Sequence, residues 1–260
     1  MKQITNILIA FCCCSFVFAQ NKPETQNPKQ NTEIDTTTKF RNTLFKSGSV
    51  LWGIKAGFSL SNIYGSDIDY VFANNETNFQ PAFHLGIWVD TKIEKHLYLK
   101  HELLFNQKGA GVTLTDSING NYSAQFKTYY LDFFPISPTL YFKGVQIYTG
   151  PYISALIDAQ INRKDETGKT FIDHSIFGNP SQFEDKSKYL QKMDFGIEVG
   201  LAYQLPYSLS IGAKYTHGFF DIFQSANGYI ISGNKHEIKI YNRAFWLSVS
   251  YLFNGKRKIE

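Results

Sequence analysis

Eight segments in which apolar residues recur at every second position, joined alternately by short turns and long polar loops, predict an all-β fold. The form they point to is a closed, antiparallel, up-and-down transmembrane β-barrel of about eight strands. Composition agrees with it. Aromatic residues make up 16% of the chain, with 23 Phe and 16 Tyr, and charged residues only 18%, against about 25% in a typical globular chain. A chain so rich in apolar surface needs lipid or a large core to cover it.

The first segment, about Val50 to Ile63, sets Trp52, Ile54, Ala56, Phe58 and Leu60 on one face, with Gly53, Lys55, Gly57, Ser59 and Ser61 on the other. The second alternates Phe83, Leu85, Ile87 and Val89 with His84, Gly86, Trp88 and Asp90. In the third, Leu97, Leu99, Leu103 and Phe105 oppose Tyr98, Lys100, Glu102 and Asn106. The fourth, around Thr128 to Phe142, is interrupted by Pro135 and Pro138, and proline cannot donate to a ladder, so a bulge or irregular edge is expected there. The fifth places Ile147, Thr149, Ile153, Ala155 and Ile157 against Gln146, Tyr148, Tyr152, Ser154 and Asp158. In the sixth, Phe195, Ile197, Val199, Leu201 and Tyr203 face away from Asp194, Gly196, Glu198, Gly200 and Gln204. The seventh has Leu209, Ile211, Ala213 and Tyr215 opposite Ser210, Gly212, Lys214 and Thr216. The last sets Phe245, Leu247, Val249, Tyr251 and Phe253 opposite Trp246, Ser248 and Ser250.

Short joints fall at Glu94-Lys95, Lys143-Gly144 and Pro206-Tyr207, and long ones at about Asn62 to Pro81, Gly109 to Lys127, Ala159 to Lys192 and Asp221 to Asn242. With the first strand entering from the periplasm, the short turns are periplasmic and the long loops extracellular. The apolar faces meet lipid, and the faces of Gly, Ser and single charges line a crowded lumen. A lipocalin-like soluble barrel would reverse that polarity, with the apolar face inside. Four long loops on one side favour the membrane form.

The chain ends have their own character. Lys2, the apolar run Ile7 to Phe18 and Val17-Phe18-Ala19 read as a signal peptide over residues 1–19, with Gln20 starting the mature chain. An uncleaved anchor and a lipoprotein signal at Cys12, Cys13 or Cys14 are the alternatives, disfavoured by the short run and by Phe11. Residues 20–47 are polar enough to read as a disordered periplasmic leader. The barrel then takes residues 48–253, and Lys256, Arg257 and Lys258 mark a basic tail over 254–260. All three cysteines lie within the signal, so cleavage leaves no disulfide and no thiolate metal site. The net charge of +4, without a basic stripe bearing interleaved aromatics, does not argue for a nucleic-acid partner.

The best-defined constellation is a set of charges on the lumen face: Lys55, Asp90, Lys100, Glu102, Asp132, Asp194, Glu198 and Lys214. An eight-stranded barrel has an interior just wide enough for side chains, so these are expected to pair into a structural plug; a gated ion path is the alternative reading. Among the histidines, His217 has lipid-facing parity and His84 lumen parity without an evident serine partner, while His101, His174 and His236 complete the candidates. They suggest no catalytic residue and no cofactor. A barrel enzyme acting on lipid or peptide would need such groups to converge at the outer rim. The loop after Ala159 carries Asp165, Glu166, Asp173, His174, Glu184 and Asp185 at spacings that match no cation-binding loop. Its Phe171, Ile172, Ile176, Phe177 and Phe183 form a candidate surface for a protein partner or pack over the mouth.

Several stretches, in order, resemble one family. They are Gly53-Ile54-Lys55-Ala56-Gly57-Phe58-Ser59-Leu60-Ser61-Asn62, Phe83-His84-Leu85-Gly86 and Glu102-Leu103-Leu104-Phe105-Asn106-Gln107-Lys108-Gly109. Tyr130-Leu131-Asp132-Phe133-Phe134-Pro135, Gly150-Pro151-Tyr152, Asp194-Phe195-Gly196 and Gly212-Ala213-Lys214-Tyr215 continue the pattern. Over about Gly53 to Phe253 the chain is similar to the PorT-like outer-membrane β-barrel proteins of Bacteroidetes. That resemblance implies an eight-stranded barrel, a cell-surface role in the outer membrane and, through the founding member, a link to assembly of a secretion apparatus. The tail after Phe253 and the irregular fourth strand depart from the family's pattern.

Overall fold

The computed structural model describes residues 50–174, 189–224 and 238–254. The expected signal, leader and basic tail after Asn254, with Ile176, Phe177, Phe183, Glu184, Asp185 and His236, lie outside the described residues.

Nine strands follow in chain order among the described residues: β1 (Val50–Gly65), β2 (Gln80–Lys92), β3 (Leu97–Asp116), β4 (Gly120–Phe142), β5 (Val145–Lys164), β6 (Thr170–Asp173), β7 (Met193–Gln204), β8 (Leu209–Gly218) and β9 (Ile240–Leu252). Eight of them form a ring in the order β4-β3-β2-β1-β9-β8-β7-β5, closed by pairing of β4 with β5. Every ladder is antiparallel. The short β6 only folds back on the outer end of β5. This is the all-β barrel the alternation predicts.

The periplasmic end is tight. Lys143 (φ 47°) and Gly144 (φ 86°) turn β4 into β5 with both central residues left-handed, the geometry whose twist suits a two-residue hairpin. At the outer end a single helical turn, Ile68–Tyr70, interrupts the first long loop. Around Pro135 and Pro138 the β4–β5 ladder lapses between Phe133 and Thr139, and the β3–β4 register shifts between Lys100 and Glu102. The missing proline N–H groups make that the place where the ring is least regular.

Two expectations are corrected here. The stretch Gly109 to Lys127 is no loop: β3 and β4 pair without a break from Gly109↔Lys127 to Asp116↔Gly120. Above Tyr129 the alternation persists with its polarity inverted. Thr113, Thr115, Ser123 and Gln125 face outward, while Val112, Ala124 and Phe126 are buried inside. A strand that leaves the lipid has water outside and a core inside, so its apolar face changes sides. Asp158 is the second correction, for it does not line the lumen. Tyr130 pairs with Leu156 but Tyr129 pairs with Asp158, so Ile157 is an extra residue that reverses the parity beyond it. Ala159 and Ile161 therefore point inward, and Asp158 outward.

Space in the ring is set by glycines. Each of five large inward side chains faces a glycine directly across a ladder: His84 and Gly57, Trp88 and Gly53, Leu104 and Gly86, Tyr148 and Gly200, Tyr152 and Gly196. A Cβ at Gly200 would overlap the Tyr148 ring, and one at Gly53 or Gly196 would meet the neighbouring strand's carbonyl, of Tyr251 or His217, as well as the Trp88 or Tyr152 ring. Gly200 is thus the socket for the Tyr148 ring, and the other four let both a neighbouring strand and a large side chain come close. Gly200→Ala is expected to destabilise the barrel by about 1–3 kcal/mol, the usual penalty of overpacking, and to lower the temperature at which the folded, fast-migrating gel band is lost. Tyr148→Ala in the same chain should return part of that loss; no recovery would show that the ring is not what the glycine accommodates.

Candidate functional site in the barrel lumen

The lumen is built in three levels along the axis. At the periplasmic end Leu51, Trp88, Tyr98, Tyr141 and Leu252 form a buried cluster. Polar and charged side chains occupy the middle. Toward the outside Ile63, Phe126, Ile161 and Ile240 from the strands meet Ile68, Phe72, Leu190, Phe223 and Ile238 from the loops in a larger apolar cluster. The outer loops thus reach into the barrel mouth and close it with a core.

All eight predicted lumen charges are buried, none more than 5% exposed. Alternate positions on neighbouring strands bring six of them to one level. Glu102 on β3 pairs with Lys55 on β1 and accepts from Lys214 on β8 at 3.1 Å. Lys214 also donates to Glu198 on β7 at 3.0 Å, and the Ser137 hydroxyl donates to the other oxygen of Glu198 at 2.6 Å. The Lys214 ammonium lies 3.5 Å from the centre of the Phe134 ring and 4.5 Å from that of Trp246. Lys100 is the register partner of Asp90, donates to Gln146 at 3.1 Å and sits 4.1 Å over the Tyr148 ring. Carboxylate, ammonium and ring face thus alternate around the wall, which compensates charges that would be costly to bury alone.

Asp132 and Asp194 lie one level further out, around a cation that the expected set lacks. Lys108 stands 3.1 Å from Asp194, 3.4 Å from Asp132 and 3.1 Å from the Ser154 hydroxyl, with the Tyr130 and Tyr152 rings at 4.7 and 4.6 Å. Asn106 donates to Asp132 at 2.9 Å and Asn242 to Asp194 at 3.1 Å. A two-residue step from Lys100 through Glu102 and Asn106 leads to Lys108 on the same face. Carrying β3 past Asn106 is the signal that finds it. Among the described residues, four buried lysines (Lys55, Lys100, Lys108 and Lys214) meet five buried carboxylates (Asp90, Glu102, Asp132, Asp194 and Glu198).

The histidines do not converge. His84 does have a serine partner, a correction to expectation: its Nε2 is 2.9 Å from Ser248 Oγ, across β1 and past Gly57. No group among the described residues bonds its Nδ1, and the ring is 1% exposed. His101 lies against the Pro135 carbonyl, and His174 stands 3.4 Å from the outward Asp158. His217 is held outside the barrel by the hydroxyls of Tyr64 at 2.7 Å and Tyr215 at 3.3 Å. In the β5–β6 turn, Asp165 Oδ1 accepts from the Thr167 hydroxyl at 2.6 Å and the Lys169 N–H at 2.9 Å, which together hold its carboxyl below the ordinary range. Among the described residues no three His, Cys, Asp or Glu side chains gather as a metal site would require.

Removing one partner of a buried network leaves a charge without compensation. Glu102→Gln is therefore expected to destabilise the barrel by about 3–5 kcal/mol. Glu102→Gln with Lys55→Met, which removes the lysine left without its carboxylate while Lys214 keeps Glu198, should destabilise it less than the single change, as measured by urea unfolding in lipid vesicles. A double variant no more stable than the single one would mean that the two groups are not coupled.

A family model described as the outer membrane protein beta-barrel domain matches residues 18–224. Among solved structures, the chain is similar to Ail, the attachment invasion locus protein of Yersinia pestis, solved in complex with the heparin analogue sucrose octasulfate. That likeness has 11% identity, covers 79% of this chain and 99% of that one, and has a TM-score of 0.40. Neisserial surface protein A is 12% identical over 78% of this chain and 97% of its own, with a TM-score of 0.42. OprG of Pseudomonas aeruginosa is 10% identical over 80% and 97%, with a TM-score of 0.36. No curated protein matches the chain. With eight strands closed into a ring, apolar residues facing outward and a family match over most of its length, the chain belongs to the outer-membrane protein β-barrel domain family and resides in the outer membrane.

Proposed function

We propose that this outer-membrane barrel is a non-conducting, non-enzymatic surface protein whose extracellular hairpins receive a partner. The observation that carries the reading is the filled bore, with aromatic, ionic and apolar levels stacked from one end to the other. Such an interior favours a structural plug over an ion path, because every lumen charge lies against a counter-charge, a polar group or a ring. The candidate surface is outside. Between the tip of the β3–β4 hairpin and the β5–β6 hairpin runs an open groove of about 790 Å³. Val71, Leu114, Ile118 and Phe171 give it apolar walls, and Arg163 and Glu166 place charges at its edge. Asn119 spans it, donating to the Asp165 carbonyl at 3.1 Å. The ordered segments that resemble PorT-like proteins support membership of that family, and with it a part in building a secretion or adhesion complex at the cell surface.

Two measurements test this. In planar bilayers the purified barrel should give no discrete current steps; reproducible steps from the folded form, lost on heat denaturation, would sink the plug. A photo-crosslinker placed at Ile118 in whole cells should yield one discrete protein adduct, and one at the lipid-facing Leu247 should not. Equal labelling at both positions would remove the hairpins as the docking surface.

A further inference from the structure

One charged side chain on the outside of the barrel has no role in the plug. Arg243 on β9 shares its parity with Phe245, Leu247 and Val249, so it projects toward the membrane and not into the lumen. About 34 Å of strand separates it from Phe253 at the other edge, or about 26 Å along the membrane normal at a tilt of about 40°. An apolar band about 25 Å tall therefore ends where Arg243 begins. Its rung marks the level of the outer-leaflet headgroups.

The guanidinium is seated there by aromatic rings. It lies 5.5 Å from the centre of the Tyr64 ring and 5.4 Å from that of Phe79. Tyr64 is fixed in turn: its hydroxyl donates to the Gly218 carbonyl at 2.9 Å and meets His217 Nε2 at 2.7 Å, and its ring stacks on His217 with centroids 4.9 Å apart. Below, Phe245 packs on Tyr215 at 4.8 Å and on Phe79 at 6.0 Å, an apolar slope leading into the lipid. Above, Lys239 follows with the same parity and is exposed. Arg243 Nε is buried, and no acceptor among the described residues reaches it. A planar fork of donors held on rings at the headgroup level, over an apolar slope, suits an anion that carries acyl chains.

We infer that Arg243, seated on Tyr64 and Phe79, binds the phosphate group of an outer-leaflet lipid. The guanidinium fork takes the phosphate oxygens, Lys239 adds positive charge on the water side, and the acyl chains descend along Phe245 and Tyr215. The site is independent of the bore and of the hairpin groove.

Native mass spectrometry of the full chain in detergent, titrated with bis-phosphorylated lipid A, tests it. Wild type should retain the lipid, and Arg243→Gln should bind it about tenfold to a hundredfold more weakly, the range set by charge-assisted hydrogen bonds. Arg243→Lys should fall between, because a point charge cannot reproduce the fork. The unheated gel band of each variant confirms that the barrel is folded. Lipid A stripped of both phosphates should bind wild type no better than it binds Arg243→Gln. The assignment is overturned by equal retention in wild type and Arg243→Gln, or by undiminished binding of the stripped lipid. Inorganic phosphate alone binding as tightly as the lipid would equally overturn it, since the site would then be one for a soluble anion.

Discussion

A strand edge left open in lipid leaves N–H and C=O groups with nothing to pair with, each at a cost of several kcal/mol. The ladder between β1 and β9 removes that edge. It joins the two ends of the barrel from Gly53↔Leu252 to Gly65↔Ile240, thirteen register pairs in all. Closing at eight strands sets the bore, and the bore sets everything placed inside it. Room for several of its large side chains comes from a glycine directly across the ladder, as for Trp88, Tyr148 and Tyr152. Closure thus decides composition on the lumen face as firmly as lipid decides it on the outer face.

Charges within such a bore are a poor source of stability, since pairing in a low-dielectric interior returns little more than desolvation takes away. Their arrangement limits the loss. Lys214 touches two carboxylates and two ring faces, and Lys108 likewise meets two carboxylates between two tyrosines. The same arrangement defines register. A slip of one residue in β1, β2, β3, β4, β7 or β8 would turn a lumen charge toward lipid, where a single lysine costs about 2–4 kcal/mol at midplane.

Much of this was legible in the residues alone, for a simple reason: inside the membrane the two faces of a strand see opposite solvents, so a period of two marks both the strand and its inward side. Lys55, Glu102, Glu198 and Lys214 can be placed on one wall by that rule. It fails where its premise fails. Beyond Tyr129 both solvents exchange sides, so Val112 and Phe126 look like loop residues to a rule that seeks apolar groups facing lipid. At Ile157 an extra residue shifts the count, and Asp158 lands on the wrong face. The approach of His84 to Ser248 depends on ring closure, which local spacing does not encode. Lys108 was within reach of the rule and needed only a longer third strand.

The core that plugs the outer mouth carries a consequence for how this surface can change over generations. Exposed loops of envelope proteins ordinarily drift freely, because nothing beneath depends on them. Here Ile68, Phe72, Leu190 and Phe223 are loop residues and also packing for Phe126 and Ile161, so a substitution that suits a new environment outside would loosen the mouth inside. Substitution at outward positions such as Thr115, Ser123 and Gln125 would leave that packing intact, whereas the inward positions must stay apolar to keep it. The face this protein presents to the world is free to change only at alternate residues on a fixed frame.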